Sequence, residues 1–286
     1  MVVTSSGFQL SFEFFPPKSE QGLEKLRSTW TQLDQFAPTF FSVTYGAGGS
    51  TRDGTLNTVL AMRAAGLDVA PHLSFGGDSR EQIGELLDRY RQAGIGRIVA
   101  LRGDLPSGLG SRRLAYASEL VEFIRGHSGD HFTIEVAAYP EVHPESASYA
   151  SELHHFAHKV AAGANAAITQ YFYNVDAYCH FVEACRRAGL DLPIVPGIMP
   201  ITNYERLLRF SDSCGAEVPR WIRKKLEGHR DDEAALLAFG ADVVTRLCEQ
   251  LLAAGAPGLH FYSLNQAEPT ATLCRRLGLA EHAAPA

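Results

Sequence analysis

Residues 11–17 read SFEFFPP, and the fold follows from how this stretch is laid out. In an extended strand, side chains alternate between two faces. Leu10, Phe12 and Phe14 then share one face, and Ser11 and Glu13 share the other. Pro16 and Pro17 cannot donate to a sheet ladder, so the strand stops there. Glu13 is therefore expected near the carboxyl end of a strand, on the face opposite the aromatics. Taken alone, such a residue reads as a solvated or hydrogen-bonded carboxylate.

Seven further runs resemble the first. They are FFSVTY (40–45), VAPHLSF (69–75), RIVALRG (97–103), TIEVAAY (133–139), AAITQYFY (166–173), PIVPGIM (193–199) and GLHFYSL (258–264). The segments between them carry helical marks. SEQGLEKLRSTWTQL opens on a Ser cap, with Leu23, Leu26, Trp30 and Leu33 at helical spacing. DSREQIGELLDRYRQAG runs from an Asp or Ser cap to Gly94, VDAYCHFVEACRRAGL to Gly189, and DDEAALLAFGADVVTRLCEQLLAAG to Gly255. Strands alternating with helices in this way indicate parallel β-α units. An open doubly wound sheet and a closed barrel both satisfy the pattern. The count of eight and the chain length favour an α/β fold with an eight-stranded parallel (β/α)8 TIM barrel. The expectation is a single domain over residues 1–280 with a tail at 281–286, and extra helices between strands seven and eight, within 200–257.

Bulk composition narrows the function classes. The chain has 286 residues, 45% hydrophobic and 20% charged, with a net charge of -6, as in ordinary globular proteins. The acidic balance argues against a nucleic-acid or anionic-membrane partner. The five cysteines form no C-x-x-C pair, which fits reduced thiols and no zinc knuckle. MVVTSSGFQL lacks the basic region and apolar core of a signal peptide, so the expected location is the cytoplasm. No run of 18 apolar residues occurs. His154 and His158 in HHFAH are one helical turn apart, but no third ligand follows at a recognisable interval, and no metal is expected.

In a barrel the active site sits at the carboxyl ends of the strands. Those ends carry Glu13, Thr44 and Tyr45, His72, Arg102 with Gly103 and Asp104, Tyr139 with Glu141, His143 and Glu145, Gln170, and Ser263 with Asn265 and Gln266. The amino ends read as apolar or turn chemistry. This asymmetry makes Glu13, an acid beside Phe and Pro, a candidate proton donor at neutral pH. GAGGST (46–51) fits a flexible connection before a phosphate cradle, and neither a P-loop nor a G-x-G-x-x-G fingerprint occurs.

Together, SFEFFPPK, FFSVTYGAGGSTRD, APHL, IVALRGDLP, AAYPEVHPE, GANAAITQYFYN, PGIMPITN and HFYSLNQAE resemble the bacterial methylenetetrahydrofolate reductase family, in order from about residue 10 to 270. The resemblance implies an FAD-containing barrel that works by a ping-pong mechanism. NADH or NADPH reduces the flavin and leaves; methylenetetrahydrofolate then accepts hydride, giving methyltetrahydrofolate for methionine synthesis. It implies that Glu13 is the general acid and that Asp104 lies near the flavin ring. FAD contacts are implied at Thr44, Tyr45, His72, Arg102, Gly103, Asp104, Tyr116, Ala137, Tyr139 and His143. Glu152, His155, His158 and Lys159 would hold the far end of FAD. Glu13, Gln170, Arg206, Phe210 and Gln266 match substrate-contacting positions. Relatives form dimers or tetramers, so a homo-oligomer acting on small molecules is implied.

The chain departs from the family at Gln266, where Arg is common, at Arg206, where Gln is found, and at His155 and His158. Two other readings stay open on residues alone. One is a barrel lyase or aldolase using Glu13 and Asp104 as acid and base, against which the absence of Lys from the strands counts. The other is a non-catalytic flavin-binding protein, which leaves the rim carboxylates without a role.

Overall fold

The computed structural model describes residues 7–45, 49–76, 78–102 and 116–281. Gly103, Asp104 and residues 46–48 of GAGGST lie outside the described residues.

The first strand, β1 (Gln9–Phe14), has the two faces its alternation implies. Leu10, Phe12 and Phe14 are buried in the main core, where Phe12 packs on Phe41 and Phe261 and Phe14 on Phe41, with ring centroids 5.5–5.9 Å apart. Ser11 and Glu13 face the opposite way, into the lumen. Burying a phenylalanine is worth about 2–3 kcal/mol, so this aromatic layer fixes which face of β1 points inward.

After β1 come α1 (Glu20–Asp34), β2 (Phe40–Val43), α2 (Gly49–Ala64), β3 (Val69–Leu73), α3 (Arg80–Gln92) and β4 (Arg97–Ala100). The middle of the chain forms α4 (Ala117–Ser128), β5 (Thr133–Ala138), α5 (Tyr149–Ala161), β6 (Ala166–Thr169) and α6 (Val175–Arg187). The last part comprises β7 (Ile194–Val195), β8 (Gly197–Ile198), α7 (Tyr204–Cys214), α8 (Arg220–Gly228), α9 (Glu233–Ala253), β9 (Gly258–Tyr262) and α10 (Ala267–Arg276). The helix punctuation works as the residue types imply. Ser19 caps α1, Ser79 and Gln82 form a reciprocal capping box on α3, and Asp232 caps α9. Gly94 and Gly255, which follow α3 and α9, take positive φ.

All strand pairs are parallel, in the order β7-β6-β5-β4-β3-β2-β1-β9-β8. The strands number nine among the described residues, against the eight expected, and the cause is Pro196. The expected seventh strand is split there. β7 pairs with β6 before the proline and β8 pairs with β9 after it, so the split strand closes the ring. Pro196 has no N–H to donate, yet its carbonyl accepts from His260 N at 3.0 Å. Gly197 N donates instead to Thr169 Oγ1 at 2.9 Å. A Cβ on Gly197 would meet Thr169 O at 2.1 Å and Tyr262 Cε2 at 2.6 Å, so only glycine fits this seam.

Two apolar clusters follow from the closure. The larger lies between strands and helices. The smaller, of Phe40, Ala70, Val99 and Ile168, fills the lumen with side chains from β2, β3, β4 and β6. The long connection between β8 and β9 holds α7 and α8 in addition to α9, as expected. Ser211 of α7 meets the Tyr171 hydroxyl at 3.0 Å, which brings α7 beside the end of β6.

Candidate functional site

The polar lumen is built by period-two alternation on three strands. On β1 the inward residues are Ser11 and Glu13. On β3 His72 points inward, and on β9 His260 and Tyr262 do. Register places Ser11 opposite His260 and Glu13 opposite Tyr262. Glu13 Oε2 lies 3.3 Å from His72 Nε2 and 3.7 Å from His260 Nε2. Ser11 Oγ and His260 Nδ1 are 2.7 Å apart. His260 is wholly buried and His72 nearly so, whereas the Glu13 side chain keeps 12% of its exposure, toward the carboxyl ends of the strands.

Burial lowers the proton affinity of His72; the Glu13 carboxylate works against this and His260 adds to it. The Tyr262 phenol is pushed well above its ordinary value by burial and by Glu13, and its hydroxyl donates to Thr169 O at 2.7 Å. Tyr262 is thus a fixed donor to Thr169 rather than a proton source. The backbone of Glu13 is tied down from β9: Ser263 Oγ donates to Glu13 O at 2.6 Å. Two residues later, Asn265 brackets Phe15, accepting from its N at 2.8 Å and donating to its O at 2.9 Å. Leu264 and Asn265 both take positive φ to make that clamp.

Around this centre the other expected residues divide into groups. Thr44 and Tyr45 follow β2, and the Tyr45 hydroxyl donates to Asp78 Oδ2 at 2.8 Å. Arg102, at the end of β4, donates to Glu145 Oε2 at 2.6 Å. Tyr139 meets His143 edge to face at 4.6 Å. Burial and the nearby Arg102 hold the proton affinity of His143 down. Glu152 is buried at the start of α5 and accepts from Ser146 Oγ at 2.6 Å. Lys159 Nζ donates to Ala137 O at 2.6 Å, and burial pulls its pKa down to about 8. Tyr116 stacks on His155 at 5.6 Å, and His158 packs on His154 at 4.2 Å. Among the described residues no group of three His, Cys, Asp or Glu side chains could hold a metal ion. Gln170 follows β6, its Oε1 accepting from Tyr171 N at 3.0 Å. Arg206 and Phe210 are exposed on α7, and Gln266 stands at the N-cap position of α10 without a side-chain cap bond. Glu13 is therefore met by both His72 and His260, the β5–α5 group forms a second cluster, and Gly103 and Asp104 lie outside the described residues.

His260 was not among the expected residues. It is hidden in the apolar run GLHFYSL, but alternation there puts Gly258, His260 and Tyr262 on one face, and pairing that face with Ser11 and Glu13 would have found it. The amino ends of the strands are also less apolar than they read. Arg97, the first residue of β4, forms an ion pair with the buried Glu135 of β5 and lies over the Phe40 ring at 4.6 Å.

The chain resembles known proteins along nearly its whole length. The family model described as methylenetetrahydrofolate reductase matches residues 2–278. A 5,10-methylenetetrahydrofolate reductase of Pectobacterium carotovorum is 41% identical, over 94% of this chain and 90% of that protein. Methylenetetrahydrofolate reductase (NADH) 1 of Arabidopsis thaliana is 39% identical, over 94% of this chain and 48% of the plant protein. A solved structure of an uncharacterized Clostridium thermocellum protein, which binds two copies of 5-methyl-5,6,7,8-tetrahydrofolic acid, superposes with a TM-score of 0.68 at 16% identity, covering 96% of each chain. The barrel, the carboxylate at its rim and these matches agree: the chain belongs to the methylenetetrahydrofolate reductase family, oxidoreductases of folate one-carbon metabolism.

Proposed function

We propose that this chain reduces 5,10-methylenetetrahydrofolate to 5-methyltetrahydrofolate with electrons from NADH or NADPH, through bound FAD and in ping-pong order. The observation that carries the reading is Glu13: a carboxyl at the open end of the lumen, shielded by aromatics behind and faced by two imidazoles. Opening the five-membered folate ring requires a proton on the departing nitrogen while the bridging carbon becomes an iminium. Glu13 donates that proton, and its partly exposed face is where the folate ring docks. FAD, when bound, supplies the hydride that reduces the bridging carbon, having taken it from the nicotinamide.

The residues present fit a dinucleotide. Lys159 is a buried cation whose one acceptor among the described residues is a backbone carbonyl, so an anionic group would complete it. The Tyr116–His155 stack, one helical turn before Lys159 on α5, offers a flat aromatic face. On this reading Thr44, Tyr45, His72, Arg102, Gly103, Ala137, Tyr139, His143, Glu152, His158 and Lys159 line the flavin site, with Asp104 near its ring. Gln170, Arg206, Phe210 and Gln266 meet the substrates. The name of the plant relative supports NADH as the donor, and the ligand of the Clostridium protein supports a reduced folate as substrate. The reading also makes residues 1–280 one catalytic domain working as a cytoplasmic homo-oligomer.

Anaerobic stopped-flow of Glu13→Gln separates the two half-reactions. Flavin reduction by NADH stays near the wild-type rate, and reoxidation by methylenetetrahydrofolate slows by about 10²–10⁴-fold, the usual worth of general acid catalysis. An equal loss in both half-reactions would make Glu13 structural and remove the proposal's support.

A further inference from the structure

We propose that Ser11 and His260 form a positioning pair that holds Glu13 in both of its protonation states, which deepens and rests on the reading of Glu13 as the general acid. Three observations carry it. His260 has no exposed surface, and its Nε2 has no hydrogen-bond partner among the described residues, yet that atom lies 3.7 Å from Glu13 Oε2. A buried polar atom without a partner is costly, so its aim at a carboxyl has a meaning to be explained. The other ring nitrogen is engaged by Ser11 Oγ at 2.7 Å. A serine hydroxyl both donates and accepts, so it supports either neutral imidazole tautomer.

The consequence is a pair that follows the proton on Glu13 without adding charge. With Glu13 protonated, His260 Nδ1–H donates to Ser11 Oγ, and bare Nε2 accepts from the carboxylic acid once a small rotation of the carboxyl closes the 3.7 Å separation. With Glu13 ionised, Ser11 O–H donates to Nδ1, and Nε2–H donates to the carboxylate. Each turnover takes one proton from Glu13 and returns one, so a partner suited to only one state would oppose half of the cycle. The charged and titratable groups facing this pair are Glu13 on β1, His72 on β3, Tyr262 on β9, and Glu135 on β5 with its partner Arg97 on β4. Tyr262 is held by Thr169 O, Glu135 by Arg97, and His72 Nε2 meets the same Glu13 oxygen at 3.3 Å.

The test uses the flavin-loaded protein with His260→Gln, Ser11→Ala and Glu13→Gln side by side. His260→Gln is expected to slow the folate half-reaction by about 10–100-fold. Ser11→Ala, which keeps the imidazole, slows it by about tenfold. In both, the pH profile of that half-reaction shifts while flavin reduction by NADH is unchanged. ¹⁵N NMR of histidine-labelled wild-type protein should show His260 neutral and changing tautomer over the pH range in which the folate half-reaction changes, and Glu13→Gln should hold it in one tautomer. An unmoved pH profile in Ser11→Ala, or a tautomer that does not respond to Glu13→Gln, overturns the pairing while leaving Glu13 as the acid. If His260→Gln fails to fold, Ser11→Ala and the NMR decide. If Glu13→Gln itself leaves the folate half-reaction intact, the reading of Glu13 falls first, and this inference falls with it.

Discussion

At the amino-terminal end of the lumen, Arg97 faces Glu135; at the carboxyl end, Glu13 faces His72 and His260. Both places bury a carboxyl among aromatic and aliphatic side chains. The partners differ in kind. A guanidinium stays charged at any working pH, so the lower carboxyl faces a permanent positive charge. Even so, burial outweighs Arg97 and raises the proton affinity of Glu135, whose Oε2 has no hydrogen-bond partner among the described residues. The upper partners are imidazoles: burial holds the proton affinity of His72 down, and a neutral imidazole offers a donor on one ring nitrogen and an acceptor on the other. A fixed countercharge suits a carboxyl that only has to stay in place, and a neutral partner that can either donate or accept suits a carboxyl read as exchanging a proton.

The sharpest way to break this contrast is to remove the fixed partner. Arg97→Met leaves Glu135 buried and uncompensated and is expected to cost about 3–5 kcal/mol, read by urea unfolding, with turnover per folded molecule nearly unchanged. Replacing both residues, Arg97→Met with Glu135→Met, should recover most of that loss. A double variant as unstable as the single one would show that the pair is not what matters there. Glu13→Gln has the reverse signature, a large change in rate with little change in stability.

The same contrast explains what could be read from residues alone. Alternation in SFEFFPP placed Glu13 because the aromatics took one face and the acid the other, and the βα rhythm gave the ring. Pro196 broke the expected seventh strand because a single missing N–H shifts pairing from one neighbour to the other, a tertiary fact that no run of residues displays. His260 stayed hidden because it is one polar residue inside an apolar run, and its meaning depends on register with a strand some 250 residues away. Arg97 read as the polar start of a strand; only closure of the barrel turns its side chain inward.

A smaller effect is expected at Lys159, which has a role of neither kind. Its pKa falls from 10.5 to about 8 on folding because it is buried, with Glu152 only partly offsetting this. Between those values the unfolded chain holds more protons than the folded one, so this lysine's contribution to stability rises with pH across the window. At neutral pH it is a cost that bound anionic cofactor would offset. Lys159→Met should therefore stabilise the cofactor-free protein by about 1–3 kcal/mol below pH 8, an advantage that vanishes as pH approaches 10.5. The variant should also retain less flavin, read by visible absorbance. Equal retention would separate Lys159 from the cofactor.

The smallest effect sharpens the upper end of the comparison. The proton affinity of His72 is lowered on folding, chiefly by burial, with Glu13 opposing and His260 reinforcing. Below the ordinary histidine value of 6.5 the unfolded chain takes up a proton that the folded chain resists. Stability from this residue is therefore complete above that pH and is lost as pH falls toward the folded value. The slope for one proton is at most about 1.4 kcal/mol per pH unit. Subtracting the stability of His72→Asn from that of the wild type, pH by pH, should give a curve that is flat above 6.5 and falls below it. Adding Glu13→Gln to both proteins removes the one group that favours the imidazolium and should extend the fall to lower pH. A His72 difference curve that stays flat through this range would mean the imidazole does not sense its burial, and the two ends of the lumen would then no longer differ in the way their carboxyls are held.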